Sequence, residues 1–85
     1  MHYQAIIHEK KGKVCHIILN RPQVGNAINT RMADELADVC QMIQQDGKIS
    51  VVILRGAGDV FSTGSDPEER MRNAMLLGLS LDWNL

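Results

Sequence analysis

The chain alternates short apolar runs with polar breaks, and the period of each run predicts an element. Residues 3–8 and 14–19 are apolar and rich in β-branched side chains, with Glu9, Lys10, Lys11, Gly12 and Lys13 between them. Two such runs joined by a short charged connector containing glycine predict a β-hairpin. Asn20-Arg21-Pro22 ends the second strand, because Pro22 brings no N–H to a ladder and biases Arg21 away from helical backbone. Gly25, Asn26 and Asn29 mark residues 23–29 as a loop. Met32, Leu36, Val39, Cys40 and Ile43 then fall on one stripe of an amphipathic helix. Asn29 or Thr30 is expected to cap its start, and Asp46-Gly47 to close it with the glycine left-handed. The unbroken run Val51, Val52, Ile53, Leu54 predicts a strand covered on both faces, as in a parallel sheet.

Gly56-Ala57-Gly58-Asp59 forms a turn after that strand. Its Gly-x-Gly invites a dinucleotide reading, but the third glycine of that fingerprint would stand at position 61, where the chain has Phe61. The fingerprint fails. Residues 64–69 predict a helix start, with Asp66 as N-cap, Pro67 first and Glu69 third, a capping-box pattern. Glu68 and Glu69 also lie where the helix dipole favours negative charge. Met71, Met75 and Leu79 carry the helix to about residue 78, a stripe read as packing; residues 83–85 receive no assignment. The order strand, strand, helix, strand, turn, helix belongs to the α/β class with a mixed sheet, in one domain.

Composition narrows the function. Nine Lys+Arg against ten Asp+Glu in 85 residues leave a net charge of −1, which excludes the clustered basic excess of a nucleic-acid binder. No apolar run reaches the ~18 residues of a membrane span. The N-terminus lacks the basic-then-apolar layout of a secretory signal, so a cytoplasmic location is expected. Cys15 and Cys40 sit in apolar segments and are expected as reduced core thiols. His8 and His16 lie on the two hairpin arms with no further ligand at metal spacing, so they are expected as solvated or edge residues, with no metal site.

Leu19-Asn20-Arg21-Pro22, then Asn26-Ala27-Ile28-Asn29 and an amphipathic helix, resembles the opening of the crotonase (enoyl-CoA hydratase/isomerase) family. The resemblance continues through Val52-Ile53-Leu54-Arg55-Gly56 and Val60-Phe61-Ser62-Thr63-Gly64-Ser65-Asp66, a segment the family writes as aromatic-small-small-Gly-small-Asp. It covers residues 3–70, about the first third of a family domain; residues 71–85 match poorly. The resemblance implies the first portion of a spiral fold of ββα units that binds acyl-CoA and stabilises a thioester enolate between two backbone N–H groups. It assigns the first donor to Ser65. It also gives the Thr63 carbonyl to the adenine amino group, and the loop containing Gln23, Val24 and Ala27 to the pantetheine and nucleotide channel, with Gly64 and Asp66 completing the CoA-facing set. Coenzyme A thioester is then a substrate, and no cofactor is implied.

General chemistry supports the placement of Ser65. Its N–H precedes a helix cap, where donors are unpaired and point outward, and Gly64 lets a carbonyl approach without meeting a Cβ. Two departures from the family pattern stand out. Gln23 replaces a basic residue, removing a phosphate-pairing charge, and Pro67 replaces an aliphatic residue, which suits a helix start. Asp66 is expected as a cap more than as a catalytic carboxylate. Glu68 and Glu69 diverge by ~100° on a helix, so the two do not aim at one reacting centre. Ser65 has no base in its motif to activate the hydroxyl.

Hydration also needs tuned acid/base groups at the α- and β-carbons, and the resemblance places those glutamates and the second donor beyond residue 85. The sequence is therefore expected to be part of a longer acyl-CoA hydratase or isomerase, inactive alone. The alternative is a small non-catalytic α/β module that keeps the CoA-facing scaffold for binding or interaction. A full-length parent is expected to form homo-oligomers, as trimers or hexamers. Apolar surface at residues 51–54 and along Met32 to Ile43 is expected to need cover, so that the isolated chain aggregates or survives only as a partner-bound piece.

Overall fold

The structure, a computed structural model, describes residues 3–69 and 71. Strand β1 (Ile6–Lys11) pairs antiparallel with β2 (Val14–Leu19), in a register running from Ile6 opposite Leu19 to Lys11 opposite Val14. Gly12 and Lys13 are left as a two-residue turn, with Gly12 at φ 60° and Lys13 outside the positive-φ region. That is the type II′ arrangement, whose first central position favours glycine. The turn is tighter than the predicted connector and sets the register. Strand β1 consequently starts at Ile6 and runs to Lys11, past the expected span of residues 3–8.

Helix α1 (Thr30–Gln45) leads to β3 (Val51–Gly56), which lies parallel to β2 in the order β1-β2-β3. The mixed sheet and α/β class are as predicted. Side chains alternate across a strand, so Ile6, Cys15, Ile17 and Leu19 share one face. That face packs with Met32 and Val39, both wholly buried, and with the partly buried Leu36 and Ile43. His8 falls opposite Ile17 while His16 falls opposite Glu9, which puts the two histidines on opposite faces of the sheet.

The Asn29 side chain accepts the Met32 N–H at 2.9 Å and caps α1. Its end departs from expectation: Asp46 is extended, and Gly47 is absent from the positive-φ residues. The Asp46 N–H reaches the carbonyls of Met42 and Ile43, while its carboxylate accepts the Lys48 N–H at 3.0 Å and pairs with Lys10 at 2.6 Å. A side-chain turn replaces the left-handed glycine.

Two burial expectations are corrected. Cys15 is buried, but Cys40 is exposed, because the buried line of α1 runs through Met32, Glu35 and Val39 and turns Cys40 outward. Val51, Val52, Ile53 and Leu54 are 42–49% exposed instead of covered: the core layer that includes α1 draws on β1 and β2 and takes in no residue of β3, and strand side chains are covered only by what packs on the sheet faces. The α1 stripe, expected to lack cover, is buried at Met32 and Val39, with Met42 the exposed apolar residue beside it. Residues 67–69 are helical as predicted; the continuation through Met75 and Leu79, and residues 83–85, lie outside the described residues.

Candidate functional site

Two segments far apart in sequence meet beyond the ends of β2 and β3. Asn26 organises the first. It is completely buried at φ 53°, a left-handed conformation that asparagine tolerates better than most residues. Its Oδ1 accepts the Arg21 N–H at 2.8 Å, and its Nδ2 donates to the carbonyls of Ala57 at 2.8 Å and Val60 at 2.7 Å. One amide thus ties the turn after β2 to the turn after β3. Gly56 lets the second turn close, since a Cβ there would stand 2.3 Å from the Phe61 carbonyl oxygen.

Residues 62–66 then run beside residues 25–28. The Thr63 N–H donates to the Gly25 carbonyl at 3.0 Å, and the Ser62 hydroxyl donates to the Asn26 carbonyl at 2.8 Å while accepting the Gly64 N–H at 3.0 Å. The Ile28 N–H donates to the Gly64 carbonyl and the Asp66 N–H to the Ile28 carbonyl, both at 2.8 Å, closing a parallel bridge between Ile28 and Ser65. In such a bridge Ile28 bonds the residues flanking Ser65, so the N–H of Ser65 faces away from residues 25–28. It has no acceptor among the described residues. Gly64 precedes it at φ 94°, with open space where a Cβ would stand.

Asp66 caps the helical turn as predicted, its Oδ1 accepting the N–H groups of Glu68 at 3.0 Å and Glu69 at 3.2 Å. Its Oδ2 lies 3.3 Å from the Arg21 guanidinium. The Glu69 N–H above all, with the Arg21 and Glu68 bonds, holds the Asp66 carboxyl below its ordinary value against the opposing effect of desolvation. Asp66 is therefore an ionised cap at neutral pH rather than a proton donor.

The capping box is only half formed. The Asp66 N–H is taken by Ile28, and Glu69 instead accepts the Thr30 N–H at 2.7 Å together with the Thr30 hydroxyl. Thr30 opens α1, where backbone donors lack helical partners. Between the two helix starts lies an open cleft of ≈ 300 Å³, lined by Ile28, Thr30, Ala33, Ser65, Asp66 and Glu69 among others.

Of the residues singled out from the sequence, Ser65 and Asp66 line this cleft, and Thr63 and Gly64 precede them on the same segment. Thr63 is exposed and packs so closely on Gly25 that a Cβ there would meet its methyl at 2.8 Å. Gln23 and Val24 are exposed on a 3₁₀ turn, Pro22–Val24, and do not line the cleft. Ala27 is buried, and its carbonyl accepts from Arg21. The sequence did not reveal the roles of Asn26, Arg21 and the Thr30–Glu69 pair. Beside the local bonds of Arg21 to Asn26 and Ala27, their partners lie 31 to 45 residues away, beyond the reach of local pattern.

Comparison with known proteins follows the same outline. The family model for enoyl-CoA hydratase/isomerase matches residues 9–79. The chain is 39% identical over 70 residues to a short-chain-enoyl-CoA hydratase of Clostridium acetobutylicum, covering 81% of the chain and 27% of that relative. It is 28% identical over 72 residues to a trans-2-decenoyl-[acyl-carrier-protein] isomerase of Streptococcus mutans, covering 85% and 27%. A solved enoyl-CoA hydratase/isomerase from Xanthobacter autotrophicus superposes with a TM-score of 0.79 at 35% identity, over 85% of the chain and 27% of that structure. The chain thus spans about a quarter of the length of the curated relatives it matches. Among the described residues, no helix is long and apolar enough to cross a membrane.

Proposed function

The chain belongs to the enoyl-CoA hydratase/isomerase family, and from that membership we propose that it contributes the first oxyanion donor, the Ser65 N–H, to an acyl-CoA site. The observation that carries this reading is the Ser65 N–H, unpaired among the described residues, turned from residues 25–28 and placed immediately before the Asp66 helix cap. A thioester carbonyl that becomes an enolate gains negative charge on oxygen, and a fixed donor aimed at it is worth about 3–4 kcal/mol in a dry site. Gly64 leaves the approach open. The Ser65 hydroxyl has no part in this chemistry.

In the same reading, the backbone at Thr63 and Gly64 and the turn bearing Gln23 and Val24 face the CoA portion. Ala27, buried with its N–H bonded to Val24 and its carbonyl to Arg21, supports that turn from within. CoA thioester is the substrate, not a resident cofactor. The second donor and the acid/base carboxylates come from residues outside these 85, so the chain alone leaves crotonyl-CoA unhydrated. A longer protein containing it forms trimers or hexamers in the cytoplasm.

The test uses a pair of substitutions in a longer active parent. Ser65→Pro deletes the N–H and is expected to lower kcat by about 10²-fold or more. Ser65→Ala keeps the N–H and is expected to retain turnover. Equal activity in the two variants overturns the assignment, and hydration of crotonyl-CoA by the 85-residue chain overturns its inactivity.

A further inference from the structure

We propose that Glu69 is a positioning residue, whose carboxylate binds the start of α1 and so fixes the turn that carries the Ser65 N–H. This rests on the reading of Ser65 as the donor.

Ser65 and Glu69 both line the cleft, four residues apart across the cap and first turn of the second helix. On one side of Ser65 the backbone is fixed by the Ile28 bridge and by the Arg21–Asp66 pair. On the cleft side, the only tie from this turn to α1 among the described residues is the bond of Glu69 to the Thr30 N–H and hydroxyl. The Asn29 cap serves Met32, which leaves the Thr30 N–H to be met from outside α1. A carboxylate is suited to that position, because the helix dipole favours negative charge there. The two helix starts are thereby joined across the cleft, so a shift of the Glu69 turn carries Asp66 and Ser65 with it. Glu69 acts through this placement and not on the reacting atoms.

The test is hydrogen exchange on a longer active parent containing these residues, with and without crotonyl-CoA, read by mass spectrometry on peptides spanning residues 62–69 and 36–43. In the wild type, crotonyl-CoA is expected to protect the first peptide. In Glu69→Ala, ligand-free exchange at residues 62–69 is expected to rise about fivefold, the usual effect of losing one helix-end cap. Crotonyl-CoA affinity is expected to fall by a similar factor, with residues 36–43 unchanged. Glu69→Gln, which still presents an oxygen to Thr30, is expected to restore most of both. Glu69→Asp, which keeps the charge but withdraws the oxygen by one methylene, carries the expectation of Glu69→Ala if that variant disturbs residues 36–43. Faster exchange with unchanged affinity marks a purely structural contact and overturns the positioning role, as does no change in either. A wild type whose residues 62–69 ignore crotonyl-CoA overturns the donor reading itself, and the positioning role with it.

Discussion

Strands β2 and β3 lie side by side, parallel and in register, and both are mainly apolar, yet they meet opposite environments. In β2, Cys15, Ile17, Ile18 and Leu19 are buried. In β3, Val51, Val52, Ile53 and Leu54 are each exposed to 42–49%. The difference is what packs over the sheet: the core beneath α1 takes in residues of β1 and β2 and none of β3. Strand β2 is central, with β1 on one side, β3 on the other and α1 over one face, whereas β3 has an open edge. The opposite edge, β1, carries Glu9, Lys10 and Lys11, the kind of charge that discourages strand addition. An apolar run thus records the environment a strand suits, while burial depends on which neighbours are there to supply it.

That contrast is broken most directly by truncating one side chain from each environment. Met32→Ala, at a wholly buried position in the packed layer, is expected to cost about 2–5 kcal/mol. Ile53→Ala on β3 is expected to cost less than about 1 kcal/mol, as at exposed sites generally. Chemical denaturation of both variants gives the comparison; similar losses would show that β3 is as firmly packed as the core. A smaller effect concerns association. The open apolar edge is expected to make the isolated chain self-associate as concentration rises, and Leu54→Lys to suppress this. A wild type sedimenting as a stable 9.5 kDa monomer removes the basis for that contrast.

How far each region was legible in the sequence follows the same division. The hairpin, α1 and β3 were readable because their signals are periodic and local, as with the Met32, Val39 and Ile43 stripe. The Asp66 cap was readable too, since its acceptor and donors lie within three residues. What local pattern could not supply was long-range pairing. Glu35 resembles any helix-surface acid, yet it is buried and accepts the N–H groups of Gln4, Ala5 and Ile6, which holds residues 4–5 outside β1. Glu69 fitted a capping box until Ile28 claimed the Asp66 N–H. The reading of Ser65 as a donor came from family resemblance; the direction of its N–H follows from the Ile28 bridge, which no spacing within residues 60–69 encodes.

The smallest expected effect separates the cleft from the packed layer by pH. The Asp66 carboxyl is held below its ordinary value, first by the Glu69 N–H. A depressed folded-state pKa means that the stabilisation is present above the unfolded value of about 4, and is lost as pH falls through the lower, folded one. Asp46, depressed chiefly by its bond to Lys10, acts in the same direction at the other end of α1, so a global melting curve mixes the two. A local probe resolves them. Exchange at residues 66–69, corrected for intrinsic rates, is expected to quicken below about pH 4 in the wild type and to lose that acid dependence in Asp66→Asn, which keeps an oxygen at the cap but no titrating group. Exchange at residues 36–43 is expected to stay level until the whole domain opens. Matching acid responses in both segments would mean that cleft and core unfold as one unit, and that Asp66 does not govern the helix start by its charge.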